Sequence, residues 1–249
     1  MSKASATIRD ALDYFQGLLK THTLSTTALE ILSYRQPIEE EIRALMQSQI
    51  DWTAPGSVHR VHPDELATIL DGAGREVAAG FQTQKSQAIV ALWSGLEVLL
   101  EDLFVAWVSD FPSHLDNEIL QKVKITLSEF IRLDEESRIR SLYHAYLSSL
   151  PGARGLGVNR FEAALQPFGL SGSVDPEVGK AIYELQLLRN LIAHQAGRAD
   201  AKFCATGFGS AYTLGEKVYL HDVQFRAYAA AVINYCHTLL TRVEGALKR

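Results

Sequence analysis

Apolar residues recur along most of this chain with the three-to-four spacing of helices, and helix follows helix from one end to the other. Residues around 5–20 and 25–50 carry the first such spacing: Leu24, Ala28, Leu29, Ile31 and Leu32, then Ile38, Ile42, Leu45 and Met46. Pro37 is expected to start or interrupt a helix, since its ring is not tolerated in a helix interior without a kink. Residues 51–63, rich in Pro, Gly and His, read as a connection, and a helical run from Asp64 is expected to break near Gly72 and Gly74.

The strongest signal covers 82–110. At about 100° per residue, Gln87, Ser94, Glu97 and Glu101 fall on one narrow stripe, while Ile89, Leu92, Leu96, Leu99, Leu100, Leu103 and Phe104 cover most of the rest. A helix apolar on most sides is a central core helix, and Phe111-Pro112 ends it. A more charged amphipathic stretch follows over 117–149, then a Gly-rich loop, a short helix over 159–167 and a second loop. Asp175-Pro176 reads as an N-cap and first helical residue, opening a helix through His194 with Gly197 as its stop. Segments 202–205, 211–214 and 217–220 have the look of short strands in a hairpin about Gly215-Glu216. Asp222 is expected to cap a last helix whose inner side carries Phe225, Ala229, Val232, Ile233, Cys236, Leu239, Leu240 and Val243. The expected fold is therefore an all-α bundle with a small β-hairpin before the last helix.

Composition changes this picture little. The 249 residues, 47% apolar and 21% charged, suffice for a real core. No apolar stretch of the roughly 18 residues that span a bilayer occurs, and the N-terminus has no apolar signal region, so the expectation is a cytoplasmic protein. Cys204 and Cys236, far apart and without a CxxC pair, offer neither a disulfide framework nor a thiolate zinc site, and read as small buried residues. His59 and His62, in a loop without cysteines, make a poor metal site. No cofactor motif is present: GxxxxGK[ST], HExxH and GxSxG are all absent from the chain. The net charge of −5 disfavours broad electrostatic capture of nucleic acid, which counterion release makes a property of basic surfaces. A small cationic site remains compatible with it.

The informative segment is ELQLLRNLIAHQAG, residues 184–197. Ile182, Leu185, Leu188 and Ile192 share an apolar face, and Asn190 and His194, four apart, share another. Arg189 and His194 differ in direction by about 140°. One helix therefore points them too far apart to act on a single phosphate, whereas two copies around a two-fold axis would interleave both pairs in one cleft.

The string RNLIAH resembles the R-(N/H/D)-x-x-x-H motif of the HEPN superfamily. The preceding core helix ALWSGLEVLLEDLF and the tail AHQAGRADAKF are similar to the RiboL-PSP-like and related HEPN families of prokaryotic defence proteins. The resemblance gives a HEPN-like helical domain over 81–249 and leaves 1–80 as an N-terminal helical extension. It implies a homodimer with metal-independent endoribonuclease activity that uses the ribose 2′-OH, in a toxin–antitoxin or anti-phage setting. Arg189 would bind the scissile phosphate, His194 would act as general base or acid, and Asn190 would orient His194 or the phosphate by hydrogen bonding. Glu97, with Ser94, would hold Arg189 in place, and Glu101 would support that stripe. Arg198, Lys202, Arg154 and Arg160 would add RNA contacts. Trp93 and Trp107 read as core or dimer-interface residues rather than base platforms. From another class comes the alternative of a non-catalytic HEPN-like dimer that docks a partner protein, such as an antitoxin or nucleotidyltransferase, or a nucleotide.

Overall fold

The computed structural model describes residues 2–34, 63–149 and 156–248. Its α-helices are α1 (Lys3–Ser33), α2 (Pro63–Ala78), α3 (Gln82–Asp110), α4 (Leu127–Phe130), α5 (Glu135–Ser149), α6 (Val158–Leu165), α7 (Pro176–Gln195), α8 (Ala201–Cys204) and α9 (Asp222–Ala246). The fold is all-α, and among the described residues no helix is long and apolar enough to cross a membrane. Two compact units emerge, one of residues 1–18 with 88–249 and one of residues 19–87. Pro37, His59, His62 and Arg154 lie outside the described residues, as does most of the expected 51–63 connection.

In the first unit α3 is the axis, as its all-round apolar character requires. Ile89, Leu92, Trp93, Leu96, Leu99, Leu100, Leu103, Phe104 and Trp107 are all buried, so both tryptophans are core residues. Aromatic pairs tie it to its neighbours: Trp93 to Phe161 of α6 at 5.2 Å between ring centroids, and Phe104 to Tyr143 of α5 at 5.2 Å and to Phe168 at 4.8 Å. Such contacts add roughly 1 kcal/mol each beyond area burial. Helices α7 and α9 pack along each other, and α6 lies on α7. The first turns of α1 bury Ala4, Ser5, Ile8, Leu12 and Phe15.

In the second unit α1 does not stop near residue 20. The run Thr21 to Thr27 is poor in helix formers, yet Thr23 Oγ1 donates to Leu19 O (3.0 Å), Ser25 Oγ to Thr21 O (2.8 Å) and Thr26 Oγ1 to His22 O (3.1 Å). These i−4 bonds return the hydroxyls to the helix's own carbonyls. The expected break at Gly72 and Gly74 is absent as well, for α2 runs on to Ala78. Each helical glycine costs about 1 kcal/mol, and the buried Leu70 and Ala73 beside them offset it. The turn to α3 comes later, through Gly80 and Phe81, both at positive φ.

The β-hairpin is not formed. Among the described residues there is no strand, only an isolated bridge between Arg198 and Lys217. Asp200 Oδ1 accepts from Phe203 N at 2.7 Å and starts α8 where the first strand was expected. Phe203 then packs with Leu187, Leu191 and Ala199 of one cluster, joined by Phe208 and Tyr212. Thr206 Oγ1 donates to Phe203 O (2.7 Å) and accepts from Gly209 N (2.9 Å). Gly209 lies so close to the Phe203 carbonyl that any Cβ there would collide with it. The apolar residues of 201–212 thus cluster onto α7 instead of alternating across a sheet.

Candidate functional site

Helix α7 begins as its sequence requires. Asp175 Oδ1 accepts from Glu177 N (2.9 Å) and Val178 N (3.2 Å), and Pro176 follows at the first helical position. It ends through Ala196 and Gly197, both left-handed, with Gly197 N donating to Leu191 O at 3.0 Å. Ile182, Leu185, Leu188 and Leu191 are buried, while Ile192 at the edge is half-buried. Gln186 is buried too, and its Oε1 accepts from Gly157 N at 2.6 Å, which anchors the start of α6.

On the flank beside this face, Arg189 and Asn190 are half-buried and His194 is exposed in the last turn. Arg189 Nη1 donates to Asn190 Oδ1 at 3.2 Å. Its Nη2 stands 3.9 Å from Glu97 Oε2 of α3, and its Nε is buried without a hydrogen-bond partner among the described residues. Glu97 Oε1 is also 3.3 Å from Arg160 Nη1 of α6. One carboxylate therefore sits between two guanidiniums from two other helices.

The other supporting residues divide. Glu101 turns to α5, where its Oε1 is 3.0 Å from Arg140 Nη1 and 3.4 Å from His144 Nε2. Arg140 also meets Asp102 (2.7 Å) and Glu136 (2.9 Å), and these carboxylates, Glu136 first, raise its pKa further above its already high value. Ser94 lines a cleft of about 950 Å³ between the first turns of α1 and α5, with Tyr14, Val98 and Asp102. Of the expected RNA contacts among the described residues, Arg160 is the one brought to Arg189, through Glu97. Arg198 Nη1 donates to Gly215 O at 3.0 Å, and Lys202 is exposed on α8.

Arg140, Tyr143 and His144 of α5 were not singled out by the sequence. The i,i+4 spacing of Glu136 and Arg140 was the one local signal of this ionic row. Tyr143 is 5% exposed. Burial raises its pKa far above the ordinary phenol value, Arg160 opposes that rise, and Glu101 and Glu97 add to it. It is a neutral hydroxyl beside charged groups. No family model matches this chain, nor does any curated protein or solved structure.

Proposed function

We propose that this protein is a cytoplasmic, metal-independent endoribonuclease of HEPN type. Its site would be completed by two copies of α7 meeting about a two-fold axis. What supports the reading is the arrangement on α7: a guanidinium tethered to Asn190 and flanked by Glu97, with an exposed imidazole just over one turn further on. In the dimer, His194 takes the proton from the ribose 2′-OH, whose oxygen attacks phosphorus. Arg189 stabilises the charge that grows on the phosphoryl oxygens. The P–O5′ bond breaks, the leaving oxygen takes a proton from the second imidazole, and the products are a 2′,3′-cyclic phosphate and a 5′-OH. DNA, without a 2′-OH, is not a substrate. The setting we propose is a toxin–antitoxin or anti-phage system with an antitoxin or nucleotidyltransferase partner.

A second reading, a non-catalytic dimeric module that binds a partner protein or nucleotide, draws on a different observation. Glu97 already lies against both Arg160 and Arg189, and the chain carries a net charge of −5. Labelled RNA incubated in EDTA with the wild type, Arg189→Ala and His194→Ala separates the two. Cleavage that survives the chelator and is lost in both variants supports the nuclease. Intact RNA, with the dimer retained in solution, rules it out in favour of the module.

A further inference from the structure

Glu97 is attracted to its two arginines without satisfying either. Its distances of 3.3 Å to Arg160 and 3.9 Å to Arg189 exceed the roughly 2.7–2.9 Å of a charge-assisted hydrogen bond. Among the described residues the two cations face one anion, since Glu101, the next carboxylate along that stripe, is engaged by Arg140 and His144. Arg189 spends Nη1 on Asn190 and leaves the Nε–H buried and unpartnered. A buried donor without an acceptor is unfavourable, and this one stands at the carboxylate that also faces Arg160. Nε and Nη2 together form the edge by which a guanidinium takes an oxyanion bidentately.

We infer that Arg160 and Arg189 form a phosphate-binding site that the Glu97 carboxylate occupies in the free protein and yields when a phosphate arrives. A carboxylate holds its two oxygens in one plane on one carbon, whereas the two charged, non-bridging oxygens of a phosphodiester stand on a tetrahedral phosphorus and are each open to a guanidinium edge. The ribonuclease reading makes the ligand an RNA phosphodiester, and the inference rests on that reading for the ligand's identity. Arg160 then becomes a second phosphate-holding group from the same protomer as Arg189, and Glu97 a resident competitor that sets how readily RNA enters.

The test is titration of the full chain with inorganic phosphate at low ionic strength, followed by calorimetry and ³¹P line broadening. Wild type, Glu97→Gln and Arg160→Gln are compared after each is shown to retain its helical spectrum. Glu97→Gln keeps the side-chain shape and removes the competing charge, so phosphate should bind about tenfold tighter. Arg160→Gln should bind about tenfold weaker. No gain in Glu97→Gln, or wild-type affinity in Arg160→Gln, overturns the site. RNA cleavage is assayed in parallel. The expected phosphate pattern without cleavage would leave the site standing and remove the nuclease. Cleavage without the pattern would do the reverse.

Discussion

Arg242, near the end of α9, meets Glu162 of α6 with one guanidinium nitrogen 2.9 Å and 3.0 Å from the two carboxylate oxygens. The pair is mostly buried, and Glu162 also accepts from the Tyr235 hydroxyl (2.8 Å) and from Gly172 N (2.7 Å). The same nitrogen, Nη1, also donates to Leu170 O at 3.2 Å, and Nη2 donates to Ser173 O at 2.9 Å. Removing one partner leaves a buried charge uncompensated. Arg242→Ala should therefore lower unfolding free energy by about 3 kcal/mol, read by urea denaturation. A loss below about 1 kcal/mol would show that solvent replaces the arginine.

Alkaline stability should fall in a defined window. Burial, followed by the Glu162 charge, raises the Tyr235 pKa well above its ordinary 10.0, and burial pushes the Cys236 thiol up to about 12 from 9.0. The unfolded chain releases these protons first, so it binds fewer protons than the folded state above pH 9 to 10. Their contribution is thus fully present below that range and is lost as pH rises through it toward the folded pKa. Each group adds a slope of about 1.4 kcal/mol per pH unit there. Tyrosinate absorbance and helical circular dichroism should change together. Full tyrosine ionisation with the helices intact would contradict the burial.

Asp175→Ala removes the acceptor for two of the first main-chain N–H groups of α7. A loss of about 1 kcal/mol is expected, with a thermal midpoint lowered by a few degrees. An unchanged midpoint would mean that Pro176 alone is enough to start the helix.

At Gly95 of α3, a Cβ would stand 2.6 Å from Phe15 Cε1 and 2.9 Å from Tyr14 Cε1. Phe15 is fully buried and has little room to retreat. Gly95→Ala gains about 1 kcal/mol of helix propensity but loses about 1–3 kcal/mol to overpacking. Net destabilisation, with loosened packing of the first turns of α1, is the expected result in hydrogen exchange. A stabilised variant would refute the tight crossing.

If the site forms across a dimer, Arg189→Ala and His194→Ala should each lower RNA cleavage by about 10²–10⁴-fold. Refolding the two inactive variants together creates mixed dimers that keep one guanidinium and one imidazole. Because one imidazole must then serve as base and, once protonated, as acid, partial recovery of cleavage in the mixture is the expected outcome. A mixture as inactive as its parents, despite proven subunit exchange, counts against shared sites.

Local chemistry alone made much of this architecture legible. The apolar girth of 82–110 implied a central helix, and α3 has those limits. Asp175-Pro176 and Gly197 marked the ends of α7 because caps depend on groups within a turn of one another. The last helix likewise buries Phe225, Val232, Cys236 and Leu239 on the side its periodicity names, although its N-cap is His221, one residue before Asp222.

Where helices cross, the chain's own pattern was silent. Nothing in the spacing of Glu97, Arg160 and Arg189 tells that one carboxylate stands between two guanidiniums, for that depends on how α3, α6 and α7 pack. Ser94 and Glu97 share a stripe by periodicity, yet Ser94 faces the cleft beside α1 while Glu97 meets the arginines. Residues 201–220 misled for a related reason. Their apolar content suits a hairpin, but the Asp200 cap and the pull of Phe203 into the cluster on α7 favour a compact turn-rich segment. Periodicity and capping act over a few residues and are written into the order of the chain; ion pairs, clefts and clusters are set by contacts between distant segments, which exist only once the helices have packed.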